Sequence, residues 1–300
     1  MSIRAALNTH LTQQYEELAE YYDSPMWWYN QTKQYALFPL HRLRYAGQGY
    51  TRILDEDWDS LFVLDGCRAD LFREVADVSR FDEYTEVNSG ASATKEWVGQ
   101  QFYGRAHSDT IYVNGNAVVS ENVTGAFREF IDVWRDAYDE ERRLIPAEPV
   151  AEAARHAREE HPDARLIVHF CQPHYPFLSA PELQFDGSDG GPSNVWQALR
   201  QGKAALDDVW EAYAENLRYV LEVAEPLAEE FGERTVLTAD HGNLVGERIY
   251  PVPLRQWGHP PGLRHPNLTT VPWAVVDGER TTKQSVDADV NEQLSALGYR

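Results

Sequence analysis

The chain has 300 residues, 43% of them hydrophobic, which is enough for one large α/β core or two small ones. Its 48 acidic and 27 basic residues give a net charge of −21. This balance argues against a nucleic-acid partner, because phosphate backbones are bound by clusters of Lys and Arg. The chain has only two cysteines, Cys67 and Cys171, so a disulfide scaffold is excluded.

The charged residues also predict the environment of the protein. The basic residues are almost all arginine, and lysine occurs only at positions 33, 95, 203 and 283. Concentrated salt screens repulsion between like charges, so an acidic, lysine-poor chain predicts a halophilic source, such as a haloarchaeon. An ordinary acidic cytosolic protein is the alternative. No signal peptide is recognisable and no apolar run approaches the roughly 20 residues of a membrane span, so we expect a cytoplasmic location.

The N-terminal residues 1–50 are predicted to form a helical and aromatic extension, packed on a catalytic domain at residues 51–300. Apolar residues spaced three and four apart predict a helix over residues 4–23. The aromatic segment at residues 26–40 could cap the core, contact another subunit of an oligomer, or touch a membrane surface. Packing on the core is the default interpretation, because aromatic side chains gain most from burial.

Short apolar strands alternate with helices in the rest of the chain. The predicted strands lie at residues 60–65, 110–113, 165–171 and 235–238. The predicted helices lie at residues 68–78, 95–102, 123–138, 150–159 and 195–231, with a Gly-rich loop at 187–193. This alternation is typical of an α/β fold with a doubly wound, mostly parallel central sheet and helices on both faces. Ligands of such folds bind at the carboxyl ends of the strands.

Two predicted strands end in residues that can bind a metal. Asp65 is the last residue of the predicted strand at 60–65, and Asp240 and His241 come shortly after the predicted strand at 235–238. Carboxylate oxygen combined with imidazole nitrogen suits Zn²⁺ or Mn²⁺ better than Ca²⁺, which prefers oxygen ligands alone. Each residue also has a structural interpretation, because an Asp after a strand can cap a helix and a buried His can be a satisfied core residue.

Three further segments carry candidate functional side chains. Ser92 and Thr94 lie at the start of a predicted helix, where a hydroxyl could attack a phosphorus or sulfur centre, or could simply cap the helix. His174 lies between two prolines after the strand at 165–171, and His259 lies in a Gly/Pro loop. Prolines fix such loops, which suits a ligand or an ordinary turn equally well.

The order of these motifs resembles the alkaline phosphatase/sulfatase-like superfamily over residues 58–300. The matching segments are strand–Asp65–Gly, a hydroxyl residue at a helix start, His174-x-Pro, Asp240-His241-Gly, Gly258-His259-Pro and a closing helix near residues 290–299. The resemblance implies a metal-dependent hydrolase or transferase of phosphate or sulfate esters. Its substrate would be a small-molecule, lipid or glycan ester.

The resemblance also assigns roles to individual residues. Asp65, Asp240 and His241 match positions that hold a divalent metal, and Thr94 matches the nucleophile, with Ser92 as the nearby alternative. His259 and His174 match positions that bind a second metal or the substrate's oxygens, and we assign His259 to the metal ligands. The remaining predicted substrate contacts are His174, Asn116 and Arg68, of which Asn116 and Arg68 follow predicted strand ends.

The sequence departs from the family pattern in three places. Thr94 stands where formylglycine sulfatases carry a modified cysteine motif, which favours a hydroxyl nucleophile. The family's Gly-Lys-Trp-His segment is absent, and Phe170, Cys171 and Gln172 stand where two-metal phosphatases carry an Asp. We therefore expect one metal site, with Zn²⁺ or Mn²⁺ favoured over Mg²⁺ or Ca²⁺. A catalytically inactive relative that acts as a binding or scaffold protein is the alternative.

Overall fold

The structure, a computed structural model, describes residues 22–24, 28, 31–45, 47–123, 126–187, 190–250 and 253–278. The helix predicted at 4–23 lies outside the described residues, except for residues 22 and 23, which form part of a turn. The closing helix predicted near 290–299 also lies outside them.

The core of the fold is one seven-stranded sheet with the order β2-β9-β6-β1-β5-β3-β4, and β7 and β8 form a separate hairpin. The strands are β1 (Ser60–Leu64), β2 (Glu83–Asn88), β3 (Ala106–Asn114), β4 (Ala126–Asp132), β5 (Arg165–Phe170), β6 (Thr235–Thr238), β7 (Leu244–Ile249), β8 (Leu254–Gly258) and β9 (Thr270–Val276). Only β9 runs antiparallel to the other strands of the large sheet. The mostly parallel sheet predicted from the sequence is thus confirmed.

Helices cover both faces of this sheet. The α-helices are α1 (Phe38–Arg44), α2 (Ala69–Val75), α3 (Thr94–Phe102), α4 (Ala117–Asn122), α5 (Trp134–Ala137), α6 (Ala147–Glu160), α7 (Val195–Arg200), α8 (Leu206–Phe231) and α9 (Pro266–Thr269). The larger hydrophobic core joins the sheet to α2, α6 and α8, and a second core under the opposite face includes Trp97 and Phe102 of α3. Every residue of β1 is buried, as expected for a central parallel strand with an unbroken apolar sequence.

The helix predicted at 123–138 is wrong, because its centre forms the edge strand β4. Phe127 and Phe130 are three residues apart, a spacing that is typical of a helix. In the structure both rings instead lie 5.2 Å from the ring of Tyr112 on β3. A register irregularity between His107 and Ile111 lets two rings at odd spacing face the same neighbour.

Two other differences concern helix ends and strands that the sequence pattern did not reveal. The helix predicted at 195–231 is divided into α7 and α8, because Gly202 adopts a positive φ of 67° and the N–H of Lys203 bonds back to the carbonyl of Ala198. Strand β2 alternates exposed and half-buried residues and contains acidic side chains, so it lacks the apolar pattern of the central strands. Strand β9 is apolar and buried, but it contains Pro272, which is unusual within a strand.

The described part of the N-terminal region packs beside the loop that follows β8. Residues Lys33–Leu37 form a π-helical turn that continues into α1. His41 is buried and its ring nitrogens contact the carbonyls of Tyr250 and Arg264, while Arg42 donates to the carbonyl of Gly262 at 2.5 Å. No helix among the described residues combines the length and apolar composition needed to cross a membrane.

Candidate active site

Adjacent parallel strands bring Asp65 and Asp240 to the same edge of the sheet. β1 and β6 pair in parallel with Val63 opposite Thr238, so the two strands end side by side and the residues that follow them lie at the same edge of the sheet. One oxygen of Asp240, Oδ1, is held by the N–H groups of Gly66 at 3.0 Å and His241 at 2.9 Å. These two bonds fix the carboxylate, and its second oxygen turns toward Asp65 and His241.

Three potential ligand atoms converge at this edge. The carboxylate oxygens of Asp65 and Asp240 and a ring nitrogen of His241 all lie within 4.8 Å of one another, and all three residues are buried. His241 Nε2 lies 3.6 Å from Asp65 Oδ1 and 3.5 Å from Asp240 Oδ2. At metal–ligand distances of about 2.0–2.2 Å, two ligands of a tetrahedral site lie roughly 3.3–3.6 Å apart. The spacing therefore fits a cation among the three.

The oxygens that face this centre have no hydrogen-bond partner. Asp65 Oδ1 and Asp240 Oδ2 are both buried and unpartnered, although an unpaired buried polar atom is costly. The remaining oxygens of the same carboxylates are bonded, to Asn116 and to backbone N–H groups. Each carboxylate thus uses one oxygen for support and directs the other toward the centre. This division of roles is expected for ligands of a metal ion.

The ring of His241 is oriented by its own backbone. Its Nδ1 lies 2.9 Å from the carbonyl oxygen of Gly242, which can only accept a hydrogen bond, so Nδ1 carries the proton. In the neutral ring, Nε2 then presents a lone pair to the two carboxylates. A lone pair facing two carboxylate oxygens is unfavourable unless a positive charge lies between them, which again fits a cation.

The two carboxyl groups titrate differently without a cation. Burial and the charge of Asp240 raise the pKa of Asp65 well above its ordinary value. Burial alone would also raise the pKa of Asp240, but a positive charge on the ring of His241, when that ring is protonated, and the hydrogen bond from the Gly66 N–H lower it. The site therefore holds one negative charge readily and disfavours the second, and a divalent cation would stabilise both.

Gly242 allows the loop of Asp240 and His241 to approach a neighbouring segment. A Cβ atom at this position would overlap the backbone carbonyl oxygen of Asn267. The N–H of Gly242 also donates to the carbonyl of Leu268 at 2.8 Å. A residue with a side chain would therefore displace the backbone that carries the candidate ligands.

The structure separates the two candidate nucleophiles. Thr94 is the first residue of α3, and its Oγ1 lies 3.4 Å from His241 Nε2, beside the carboxylates. Ser92 Oγ instead lies 3.0 Å from Glu96 Oε2 and 3.1 Å from the carbonyl oxygen of Pro260, either of which can accept its single O–H, and it accepts from the N–H of Gly262 at 2.9 Å. The hydroxyl of Thr94 faces the centre at the positive end of a helix, and that of Ser92 is used to join α3 to the loop after β8.

Glu96 also connects α3 to the loop after β8. Its carboxylate accepts two hydrogen bonds from the guanidinium of Arg264, at 2.9 and 2.5 Å, and one from the N–H of Ser92 at 3.1 Å. Burial alone would raise the pKa of Glu96, but its bonds to Arg264 and Ser92 lower it. This ion pair fixes the start of α3, and with it Thr94, against the segment that contains Arg264.

His174 and His259 lie next to His241 and contact each other. Their Nε2 atoms are 3.0 Å apart, and the ring of His259 stacks on that of His241 with centroids 4.6 Å apart. Burial and the charge of His241 lower the pKa of His174 to about 4, and the same causes lower the pKa of His259 well below its ordinary value. His259 is near the three ligand atoms but is not one of the group that satisfies the metal spacing.

Asn116 and Arg68, predicted to contact substrate, support other parts of the site. Asn116 donates to Asp65 Oδ2 at 2.6 Å and caps α4 by accepting from the N–H of Val118. Arg68 is buried, and its guanidinium donates to Asp70, Glu247 and the carbonyl of Asn243. Asn116 therefore positions the candidate ligand Asp65, and Arg68 connects the start of α2 to the segment that contains Asn243 and Glu247.

One buried histidine beneath the centre was not selected from the sequence. His169, in β5, has its Nδ1 2.7 Å from the hydroxyl of Tyr112, and its Nε2 is buried without a partner. Burial lowers its pKa to about 4, so the ring is neutral near pH 7. The signal that could have identified it was a single ionisable residue within the apolar sequence of a central strand.

The fold and site define an α/β protein with a buried carboxylate–imidazole cluster, spaced as metal ligands are, beside a helix-starting hydroxyl. No protein-family model matches the chain, and no curated protein matches its sequence. The structure is similar to that of the integral membrane lipooligosaccharide phosphoethanolamine transferase A (EptA) from Neisseria meningitidis, with a TM-score of 0.53 and 13% identity. The match covers 97% of this chain and 63% of the transferase, so the chain spans less than two thirds of that protein.

Two further solved structures have lower TM-scores. A protein of the alkaline phosphatase superfamily from Vibrio parahaemolyticus has a TM-score of 0.36 and 11% identity, covering 81% of this chain and 68% of that one. The lipoteichoic acid synthase LtaP from Listeria monocytogenes has a TM-score of 0.40 and 12% identity, covering 78% and 70%. At these identities the comparisons concern the fold, and the activity has to be argued from the site.

Proposed function

We propose that the protein is a metal-dependent enzyme of the alkaline phosphatase/sulfatase-like superfamily that transfers or hydrolyses phosphate or sulfate esters. The observation that carries this proposal is the convergence of Asp65 Oδ1, Asp240 Oδ2 and His241 Nε2 beside the hydroxyl of Thr94. The order of the motifs in the sequence and the likeness of the fold to EptA support the same superfamily.

Each residue of the site has a role in this proposal. Asp65, Asp240 and His241 hold one divalent cation, with Zn²⁺ or Mn²⁺ favoured by the mixed oxygen and nitrogen ligands. When bound, the cation supplies Lewis-acid stabilisation of negative charge on the nucleophile and the ester oxygens. Thr94 is the nucleophile, and the N-terminus of α3 favours the negative charge that develops on its oxygen.

The two remaining histidines complete the site on the substrate side. His174 Nδ1 lies 2.6 Å from the carbonyl oxygen of Tyr175, so its proton lies there and Nε2 accepts. His259 Nε2 then donates to His174, and His259 Nδ1 is left buried without a partner. We propose that the non-bridging oxygens of the ester bind beside these two imidazoles, where His259 Nδ1 takes up a proton and donates to an ester oxygen while His174 holds the ring of His259 in place.

The substrate class follows from the proposed chemistry and includes lipid and glycan esters. EptA is named for the transfer of phosphoethanolamine to lipooligosaccharide, which motivates testing such acceptors alongside water. The high acidic content supports a halophilic enzyme, so the assays include high salt, and the cytoplasmic location stays part of the proposal.

The nucleophile is tested by comparing Thr94→Ser with Thr94→Val. The protein is loaded with Zn²⁺ or Mn²⁺ and assayed on p-nitrophenyl phosphate, bis-p-nitrophenyl phosphate and p-nitrophenyl sulfate. Thr94→Ser keeps a hydroxyl and should retain turnover, while the similarly shaped valine should lower kcat by at least about 10³-fold. Ser92→Ala is the matched control, because it removes a neighbouring hydroxyl that faces the loop and should reduce stability more than kcat.

Other outcomes of this assay would contradict the proposal. Equal kcat values for the serine and valine variants would exclude Thr94 as the nucleophile. A folded protein that binds no divalent metal and turns over none of the three esters would instead favour a binding or scaffold protein. With p-nitrophenyl phosphate as substrate, hydrolysis and transfer are separated by adding glycerol, because release of nitrophenol in excess of inorganic phosphate indicates transfer to the alcohol.

A further inference from the structure

A small cavity begins at His259 and extends away from the candidate metal ligands. It has a volume of about 230 Å³ and lies between α7, β8 and the π-helical turn at Lys33–Leu37. His259 belongs both to this cavity and to the group of rings around His241. A molecule bound at the proposed metal centre would therefore have this cavity next to it.

The charge of the cavity is opposite to that of the whole chain. Three basic side chains, Lys33, Arg200 and Arg255, line it, and among the residues that the structure describes no acidic one does. The chain as a whole carries 48 acidic and 27 basic residues. Across the part of the chain that the structure describes, neither arginine forms an ion pair with a carboxylate, whereas most other arginines of the fold do. Arg200 and Arg255 thus form a local concentration of positive charge with no carboxylate paired to either of them among the described residues.

The like charges of the cavity are close enough to affect one another. Lys33 Nζ donates to Gln256 Oε1 at 3.2 Å, which holds the lysine against β8. Burial and the charge of Arg200 lower the pKa of Lys33. Positive groups held together in this way repel each other, and an anion between them would relieve that repulsion.

A buried hydrogen-bond donor provides independent support. Trp196 lines the cavity, and its indole Nε1 is buried without an acceptor. The same side chain packs tightly on Gly258, where an added Cβ would lie 3.3 Å from the indole. Because Gly258 directly precedes His259, this packing fixes the wall of the cavity relative to the proposed catalytic histidine.

We propose that this cavity binds a second anionic group of the substrate, so that the natural ester carries a phosphate, sulfate or carboxylate close to the reacting group. Arg200 and Arg255 would bind the group through charge-assisted hydrogen bonds, and Lys33 would contribute its positive charge. The inference rests on the proposed function, because the reacting ester is assigned to the neighbouring metal centre.

The first test measures anion binding without any catalysis. Inorganic phosphate is titrated into chelator-treated protein and followed by calorimetry and tryptophan fluorescence, since the negative charge that Asp65 and Asp240 share in the absence of a cation disfavours an anion at the metal centre. We expect saturable binding that the double variant Arg200→Gln/Arg255→Gln weakens at least tenfold. The matched control is Arg128→Gln/Arg135→Gln, which removes two ion-paired arginines at the far edge of the sheet and changes the net charge equally. Equal binding by both double variants would overturn the proposal.

The second test uses the metal-loaded enzyme and non-hydrolysable inhibitors. Methylphosphonate has one anionic group, whereas phosphonoacetate and 3-phosphonopropionate have two. The better of the two inhibitors with two anionic groups should bind the natural protein at least tenfold more tightly than methylphosphonate does. This difference in affinity should vanish in Arg200→Gln/Arg255→Gln. If turnover is present but the inhibitors bind equally, the cavity proposal fails and the proposed function stands. If no ester is turned over, the phosphate titration still decides whether the cavity is an anion site.

A soluble anion and a lipid headgroup share this chemistry, and vesicles distinguish them. The protein is sedimented with phosphatidylcholine vesicles that contain or lack phosphatidic acid. Binding that requires phosphatidic acid and is lost in Arg200→Gln/Arg255→Gln would identify a lipid phosphate as the source. No vesicle binding together with cavity-dependent phosphate binding would identify a soluble substrate. Retention of both interactions in the double variant would overturn the assignment of the cavity.

Discussion

Addition of Zn²⁺ to metal-free protein should raise its melting temperature, because the folded state alone brings Asp65, Asp240 and His241 together. A ligand at a thousand times its Kd stabilises the folded state by about 4 kcal/mol. A chain of this size gains roughly 2 °C in Tm per kcal/mol, so the expected rise is roughly 8 °C. Differential scanning fluorimetry with chelator-treated protein measures it directly.

The variant Asp240→Asn tests whether this stabilisation comes from the proposed site. It removes the charge of one ligand, whose Oδ2 lies 3.5 Å from His241 Nε2, and should abolish most of the rise in Tm. Asp163→Asn is the matched control, because it makes the same substitution at a surface ion pair with Arg128. An equal rise in Tm for both variants, or no rise for the natural sequence, would refute the assignment of the ligands.

Three further predictions concern stability. Glu96→Gln should lower the free energy of unfolding at pH 7 by about 1.5–3 kcal/mol through loss of its bonds to Arg264, as measured by urea denaturation. Because the pKa of Glu96 is lowered in the folded state, its contribution to stability should be lost as the pH falls below the ordinary glutamate range. The variant should therefore lose less stability than the natural sequence between pH 5 and 3. An equal loss of stability in both proteins over this pH range would contradict this. Gly242→Ala should cost about 1–3 kcal/mol and weaken Zn²⁺ binding, because its Cβ would overlap the carbonyl oxygen of Asn267, and calorimetry that shows unchanged affinity would speak against a close approach there. Raising KCl to 1 M or above should increase Tm by screening the net charge of −21, and a fall in Tm would argue against a salt-adapted chain.

The sequence predicts the central strands of the fold well because they are buried on both faces. β1, β5 and β6 are almost unbroken apolar runs, and all three lie close to the predicted boundaries. The outer strands follow different rules. β4 pairs with β3 through a register irregularity between His107 and Ile111, and β9 accommodates Pro272, and neither feature can be recognised from local periodicity.

Some residues of the candidate site could also be predicted from the sequence, and others could not. Residues at strand ends were accessible to prediction, because the carboxyl edge of a parallel sheet collects them, and the structure brings Asp65, Asp240, His241 and Thr94 together. Their metal and catalytic roles stay predictions. The uses of Ser92 and Asn116 could not be read from the sequence, because they depend on contacts with segments far along the chain.

The basic cavity was also beyond sequence analysis. Its charged residues lie on three separate elements, and in an acidic chain no local run of Lys or Arg marks them. The packing of α7 on β8 places Arg200 and Arg255 at one cavity, to which the turn at Lys33–Leu37 contributes Lys33. A site assembled in this way is identified by arginines without a carboxylate partner in the folded structure, here Arg200 and Arg255, rather than by a sequence motif.

Anomalous X-ray diffraction from a crystal grown with Zn²⁺ or Mn²⁺ tests the central claim most directly. The account predicts one strong anomalous peak about 2.0–2.2 Å from Asp65 Oδ1, Asp240 Oδ2 and His241 Nε2, with the Thr94 hydroxyl beside it. An ion bound elsewhere, with these three side chains directed away from one another, would contradict it.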